Sequence, residues 1–278
     1  MPEVRLVIPK DLDRALDSLI KAGFAGNKAE LARTALTYFL STVPTQLQKG
    51  YDVETAFSPD GRIFQLEYAM ESMKRGGTMV GICCNHGIVL AKETPSDEFL
   101  ILPNPFYRIF KITETIAIAF SGIQQDSLLV LEEAKKQTGI LKKENANVDV
   151  EALAKGLTLF MQPYAQKKGF RPLAVAMIIG GLDSQNRPRL FMINSAGASQ
   201  EYRACMEGKG GDETKGVLKG GYKADMSLEE AVILAIKATL RRKKEPKEVL
   251  IATLDLKTKE IRELTQKEKQ KLWKRIFP

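Results

Sequence analysis

Cysteine, histidine and tryptophan are nearly missing from this chain, which holds three, one and one of them in 278 residues. Cys83 and Cys84 are adjacent and Cys205 stands alone, so neither a disulfide framework nor a metal-ligand spacing is available. In a strand, Cys83 and Cys84 face opposite ways, and all three read as small buried hydrophobes in a reducing cytoplasm. The single His86 falls in a hairpin loop and reads as a surface residue. No run of about 18 apolar residues occurs, which excludes a membrane-spanning helix. Residues 1–10 lack the basic-then-apolar pattern of a secretory signal. No internal repeat is visible and no cofactor is expected.

What is present is a globular composition, 44% hydrophobic and 27% charged, long enough for one large domain and a small one. The net charge of +8 is unevenly placed. Residues 1–50 carry seven Lys/Arg against five Asp/Glu, net +2; residues 51–240 carry 22 against 23, net −1; residues 241–278 carry 13 against six, net +7. The basic end, with Arg241-Arg-Lys-Lys244, reads as a solvated surface, with an acidic partner or nucleic acid as the sharper alternative.

Residues 1–43 read as a separate module. Val4, Leu6 and Ile8 alternate with Glu3, Arg5 and Val7, a short strand with one apolar face, and Pro9 ends it. Leu12, Leu16, Leu19 and Ile20 then form one helical stripe, with Gly23 as the left-handed stop. Asn27 is the expected N-cap of a second helix whose stripe is Leu31, Ala32, Ala35, Leu36, Phe39 and Leu40; Pro44 lies just past its end. One strand and two amphipathic helices in about 43 residues cannot bury a self-sufficient core. Two copies pairing their strands and meshing their helices can.

That pattern resembles the ribbon-helix-helix family, carried by residues 4–12 and 29–36. Such proteins are usually DNA-binding dimers whose ribbon enters the major groove. The resemblance implies that Glu3, Arg5 and Val7 face base edges. It also implies that Asn27 and Lys28, at the start of the second helix, touch phosphate. A head charge of only +2 predicts a weak phosphate attraction, so a dimerisation or docking module stands as the other reading. Residues 44–49 are a short linker.

From residue 50 onward the spacing predicts strand pairs over 78–83 with 87–92 and over 107–112 with 115–120. Two long helices follow over 121–138 and 150–167. Strands over 173–179, 189–193 and 199–205 come next, then helices over 211–222 and 227–240. The chain closes with strands over 249–254 and 259–263 and a last helix opened by a Thr265/Glu268 capping box. Trp273, Ile276 and Phe277 form an apolar tip on that helix, read as core packing or a partner contact. Strands in blocks with helices in pairs point to an α+β class.

The stretch Phe57-Ser-Pro-Asp-Gly-Arg-Ile-Phe-Gln-Leu-Glu-Tyr-Ala69, opened by Gly50-Tyr-Asp52, resembles the N-terminal signature of proteasome α-type subunits. Phe120-Ser-Gly122, Phe170-Arg-Pro172, Gly180-Gly-Leu-Asp183, Arg189-Leu-Phe191, Ser195-Ala-Gly197 and Glu201-Tyr202 extend that resemblance over 50–278. It implies a four-layer αββα sandwich of the N-terminal-nucleophile hydrolase type, with the small β-α-α head in front. It also implies that the chain is not an enzyme. The nucleophile position of the proteolytic relatives falls on Gly77, their lysine on Arg108 and their acid on Glu93, while Lys209 replaces a serine. Arg108, with Gly122 nearby, occupies the pocket that takes carboxylate-ended tails of activating ATPases. Tyr51, Asp52, Pro59 and Tyr68 are gate-type residues; Val53 stands where the family usually has arginine, and the stretch before Phe57 is one residue shorter.

Members of that family assemble rings, typically of seven, with β-type partners. Heads that pair in twos do not match an odd ring, so two rings could meet head to head, the body could form an even assembly, or one head could stay unpaired. Three functions follow: a non-catalytic α-type structural or regulatory subunit whose head caps the pore, a DNA-binding regulator using the body as an oligomerisation scaffold, or a hydrolase with a rearranged nucleophile such as Thr78. Expected partners are the chain itself, β-type subunits or an activating ATPase, and double-stranded DNA; a membrane is not among them.

Overall fold

Strict two-residue alternation organises the large domain. A computed structural model of the chain describes residues 7–42, 56–94, 108–143, 148–240 and 248–276. Ahead of the sheets lie three helices: α1 (Lys10–Lys21), α2 (Lys28–Thr42) and α3 (Phe64–Lys74). The strands and helices that follow are β1 (Met79–Cys84), β2 (Gly87–Glu93), β3 (Phe110–Lys111), β4 (Ile116–Gly122), α4 (Gln124–Lys143) and α5 (Val150–Gln166). Next are β5 (Val175–Leu182), β6 (Pro188–Ile193), β7 (Ser199–Glu201), β8 (Ala204–Glu207), α6 (Gly211–Gly221) and α7 (Leu228–Leu240). The series closes with β9 (Val249–Asp255), β10 (Glu260–Glu263) and α8 (Gln266–Ile276).

The strands form two five-stranded sheets, β10-β9-β2-β1-β8 and β3-β4-β5-β6-β7, with every pairing antiparallel. Successive side chains of a strand point to opposite faces, and the core divides accordingly. Val80, Ile82, Val89, Ala91, Val249 and Ile251 pack with α6, α7 and α8 on one outer side. Ile116, Ile118, Phe120, Val175, Met177 and Ile179 pack with α4 and α5 on the other. The alternate residues Met79, Ile88, Leu90, Ala117, Ala119, Ala176, Ile178 and Leu254 meet between the sheets. Helix, sheet, sheet, helix is the layering these three clusters produce. Cys83 and Cys84 do fall on opposite faces, Cys83 against the inter-sheet cluster and Cys84 in the helix-side one. Among the described residues no helix is long and apolar enough to cross a membrane.

Four expectations need correction. The strand expected over 199–205 is two strands in different sheets. Tyr202 N–H donates to the Leu190 carbonyl at 2.9 Å, the last contact to one sheet, and Cys83 N–H donates to the Arg203 carbonyl at 2.8 Å, the first to the other. The helix expected from 121 starts at Gln124 because Ser121 and Gly122 finish β4. Gly122 has φ +113°, and a Cβ there would lie 2.2 Å from the Ala174 carbonyl oxygen, so the turn out of the sheet admits only glycine. The pairing expected from 107 shrinks to Phe110–Lys111; residue 107 lies outside the described residues. Helix α3, inside the signature, has no counterpart among the expected elements; its Phe64, Ala69 and Met73 are buried.

The local signals do hold. Thr265 N–H donates to Glu268 Oε2 at 2.8 Å while Glu268 N–H donates to Thr265 Oγ1 at 3.3 Å, the reciprocal box opening α8. That helix docks through buried Trp273 and Lys269, whose Nζ donates to the Val249 carbonyl at 2.8 Å. Phe277 and the linker 44–49 lie outside the described residues.

In the N-terminal module, Gly23 takes φ +82°. Its N–H donates to Ile20 and that of Phe24 to Leu19, which closes α1. Asn27 Oδ1 accepts from Glu30 N–H at 2.8 Å, as a cap should. Residues 4–6 of the expected strand lie outside the described residues, and Val7 and Ile8 carry no strand pairing.

Candidate functional site

Helix α3 runs into β1 at the junction expected from the sequence to carry the nucleophile position, Gly77. Glycines 76 and 77 make that junction, and two partners lock it. Ser121 Oγ, 4% exposed, lies 3.3 Å from the Met73 carbonyl and 3.2 Å from the Gly77 carbonyl. Lys209 N–H donates to the Gly76 carbonyl at 3.0 Å. The facing loop comes so close that a Cβ on Gly208, at φ +100°, would lie 2.5 Å from the Gly77 oxygen.

Thr78 follows, fully buried. Its Oγ1 donates to the Lys209 carbonyl at 2.6 Å and its N–H donates to Glu93 Oε2 at 3.3 Å. Glu93 N–H returns to the Thr78 carbonyl at 2.8 Å, continuing the ladder. The threonine hydroxyl is therefore spent on a backbone carbonyl, and its nitrogen is a peptide amide that donates to the Glu93 carboxylate. Close by in β2, Lys92 is buried, and loss of hydration pushes its ammonium down to about 8. The Cys83 thiol is pushed up to about 12, chiefly by burial, which leaves it a poor nucleophile at neutral pH. Cys205 is raised by burial too.

Arg108 is exposed at the end of β3. The β3 register pairs Phe110 with Ile118 and Lys111 with Ala117, and Arg108 precedes it. A Cβ on Gly76 would fall 2.6 Å from Gly122 N, so Gly76 and Gly122 meet at the end of β4.

Of the gate-type positions, Pro59 sits in a turn in which Gly61 N–H donates to the Ser58 carbonyl at 2.8 Å. Arg62 then holds Glu67, one contact being Nε to Oε1 at 2.7 Å, and that hydrogen bonding keeps the Glu67 carboxyl below its ordinary range. Tyr68 is half exposed on α3. Tyr51 and Asp52 lie outside the described residues.

In the N-terminal module, Glu3 and Arg5 also lie outside, and Val7 is fully exposed. Lys28, expected on phosphate, is instead clamped by Asp13 Oδ1 at 2.6 Å and Asp17 Oδ1 at 2.9 Å, which raises its pKa. Asn27 is engaged as the cap, and Glu30 Oε2 accepts from Gly26 N–H at 2.9 Å, so a carboxylate already occupies the start of α2. The sequence offered a signal for this clamp: Asp13 and Asp17 sit four apart on the polar face of α1. It offered none for Ser121 or the Lys209 backbone, which approach Gly77 only through the fold.

Two family models match the chain. The model for proteasome subunits covers residues 73–248, and the model for the N-terminal signature of A-type proteasome subunits covers residues 55–71. The chain is 35% identical over 225 residues to the proteasome alpha subunit of Thermococcus sibiricus, covering 80% of this chain and 86% of that one. To that of Methanobrevibacter smithii it is 40% identical over 191 residues, 68% and 76% of the two. To that of Methanothermobacter thermautotrophicus it is 37% identical over 224 residues, 79% and 90%. Both family models begin beyond the N-terminal module, at residues 55 and 73.

Proposed function

The chain belongs to the proteasome α-type subunit family, and from that premise we propose that it is a non-catalytic wall subunit of a ring assembly whose N-terminal head pairs with a second copy. The observation that carries the non-catalytic part is Thr78: mid-chain, buried, its hydroxyl committed to the Lys209 carbonyl and its nitrogen to Glu93. A threonine nucleophile needs a free amine or another base beside it, and the family's lysine position is here Arg108, which keeps its proton. Family α-type subunits typically do no chemistry, which agrees. Arg108, exposed at the end of the sheet, suits a carboxylate-ended activator tail through a bidentate contact.

The head's contribution is pairing. Leu12, Leu19 and Leu36 of its apolar stripe are exposed in the single chain, and Asn27, Lys28 and Glu30 are already engaged within the module. The DNA-associated reading gains no support, because both expected phosphate contacts are engaged inside the module.

Electron microscopy of the purified chain, by itself and co-expressed with a β-type partner, tests the reading. Rings, and layered particles with the β-type partner, are expected; monomers under both conditions would overturn it. Peptide turnover by the chain alone should be absent. Turnover abolished by Thr78→Ala would overturn the non-catalytic assignment.

A further inference from the structure

We infer that the heads join two rings face to face, each head pairing with one from the opposite ring. This rests on the ring-subunit reading and deepens it by naming the partner of the head and its consequence for assembly.

The head's own surface says what covers it. Among residues 7–38 no side chain is buried; Leu12, Leu19, Leu36 and Phe24 are 54%, 41%, 50% and 73% exposed. Around that stripe the polar groups are satisfied from within: Asn27 caps α2, Glu30 meets Gly26, and Lys28 bridges Asp13 and Asp17. Leu12, Leu19, Leu36 and Phe24 are the large apolar side chains left exposed. Charge points the same way. Residues 7–42 carry Lys10, Arg14, Lys21, Lys28 and Arg33 against Asp11, Asp13, Asp17 and Glu30. Two copies therefore meet without strong net repulsion, and the field is too weak to draw in a polyanion. A module this small with no interior of its own gains one by doubling.

Symmetry then decides which copies meet. A ring of more than two subunits is held by head-to-tail contacts, so every copy points the same way along the axis and all heads lie toward one end. A pair of identical heads is two-fold. No two-fold axis relates neighbours within a plain ring, so pairing neighbours would make the copies inequivalent and strand one head wherever the number is odd. A two-fold perpendicular to the ring axis, relating two rings, gives every head one partner in one environment. Reach permits it: the fourteen peptide steps from Thr42 to Ala56 span at most about 50 Å, which bounds how far each head lies from its own body. Once one pair forms, the remaining pairs close at high effective concentration, so a weak single contact suffices.

The test is particle mass by mass photometry together with electron microscopy. It compares the full chain with the doubly substituted Leu19→Lys, Leu36→Lys variant, whose changes fall on side chains exposed in the single chain. The full chain should show twice the mass of one ring, with density bridging two rings. The double variant should show half that mass at unchanged ring diameter. Single rings in the unsubstituted protein, or double rings surviving in the variant, would overturn the inference. The milder Leu36→Ala should raise the concentration needed for double rings by more than tenfold, because a loss of roughly 1.4 kcal/mol in one head pair is already tenfold and the losses of all pairs add; no shift would count against head pairing. Absence of rings from both proteins would instead remove the ring reading itself, and this inference with it.

Discussion

The head and the body solve the burial problem in opposite ways. In the body, two sheets and their flanking helices divide their apolar side chains among three clusters, and residues such as Leu157 and Ile178 are fully buried within one chain. In the head, a helix stopped at Gly23 and one capped by Asn27 leave Leu12, Leu19 and Leu36 about half exposed. Both regions use the same local chemistry, caps and stripes. The difference is that layers stack in the body, whereas one layer alone has nothing to stack on. Capping and periodicity make helices; they do not make an interior.

The largest effect expected from testing this contrast is in the body core. Leu157→Ala, between α5 and the sheet, should cost about 2–5 kcal/mol in denaturant unfolding at any protein concentration. Leu36→Ala in the head should leave that midpoint in place and shift only concentration-dependent assembly. Equal, concentration-independent losses would erase the distinction.

Next is the pH dependence of Lys92. The folded chain releases its proton near 8, whereas an ordinary lysine in the unfolded chain holds it to 10.5. At Lys92 the unfolded state therefore binds more protons between those values, so this residue's contribution to stability should rise with pH across that window, by roughly 3 kcal/mol. Cys83 adds to the rise in protons held by the folded state above its ordinary value of 9.0, because burial raises the folded thiol and the unfolded chain ionises first, so it opposes Lys92 there. The readable quantity is the difference from Lys92→Met, which should be more stable than the unsubstituted protein below pH 8 and lose that advantage as pH climbs toward 10.5. A pH-independent difference would rule out a buried charge there.

Smaller still is the clamp at the start of β5. Asp126, 4% exposed, accepts from Arg171 Nη1 and Nη2 at 2.7 Å each and from Ala174 N–H at 2.7 Å. Because Arg171 is more than half exposed, solvent screens much of the ion pair. Asp126→Ala should cost about 2 kcal/mol, mainly through the unsatisfied Ala174 amide, and little of that loss should disappear in high salt.

The smallest test is also the cleanest comparison. Asn27→Ala in the head and Thr265→Ala in the body remove similar caps, each worth about 1 kcal/mol. By hydrogen exchange, the head cap should loosen α2 alone. The body cap should loosen α8 only within the global stability, because Trp273 and Lys269 tie that helix to the sheet.

Much of this is legible before any fold. The strands of the body alternate, their order matches expectation in most elements, and the signature Phe57–Ala69 points to the family that the comparisons support. Missed elements share a cause. Residues 199–207 read as one strand because alternation continues through Tyr202; only the presence of a second sheet beside it gives Arg203 a different partner from Tyr202. Helix α3 hides inside a motif whose plainest features are a turn and a tyrosine. At the site, Gly77, Arg108 and Glu93 are expectations that come from the family resemblance. The lock of Ser121, Gly208 and Lys209 on the junction is not, since those residues lie 44 or more positions away from Gly77 in the chain.

By itself the sequence determined the elements, because periodicity, caps and stops act over a few residues: Gly23 and Asn27 in the head, Thr265 and Glu268 in the body. The tertiary structure alone decided which faces became interior and that Thr78 spends its hydroxyl on the Lys209 carbonyl. Burial and hydrogen-bond satisfaction are properties of what packs against a residue, and no local pattern carries that information.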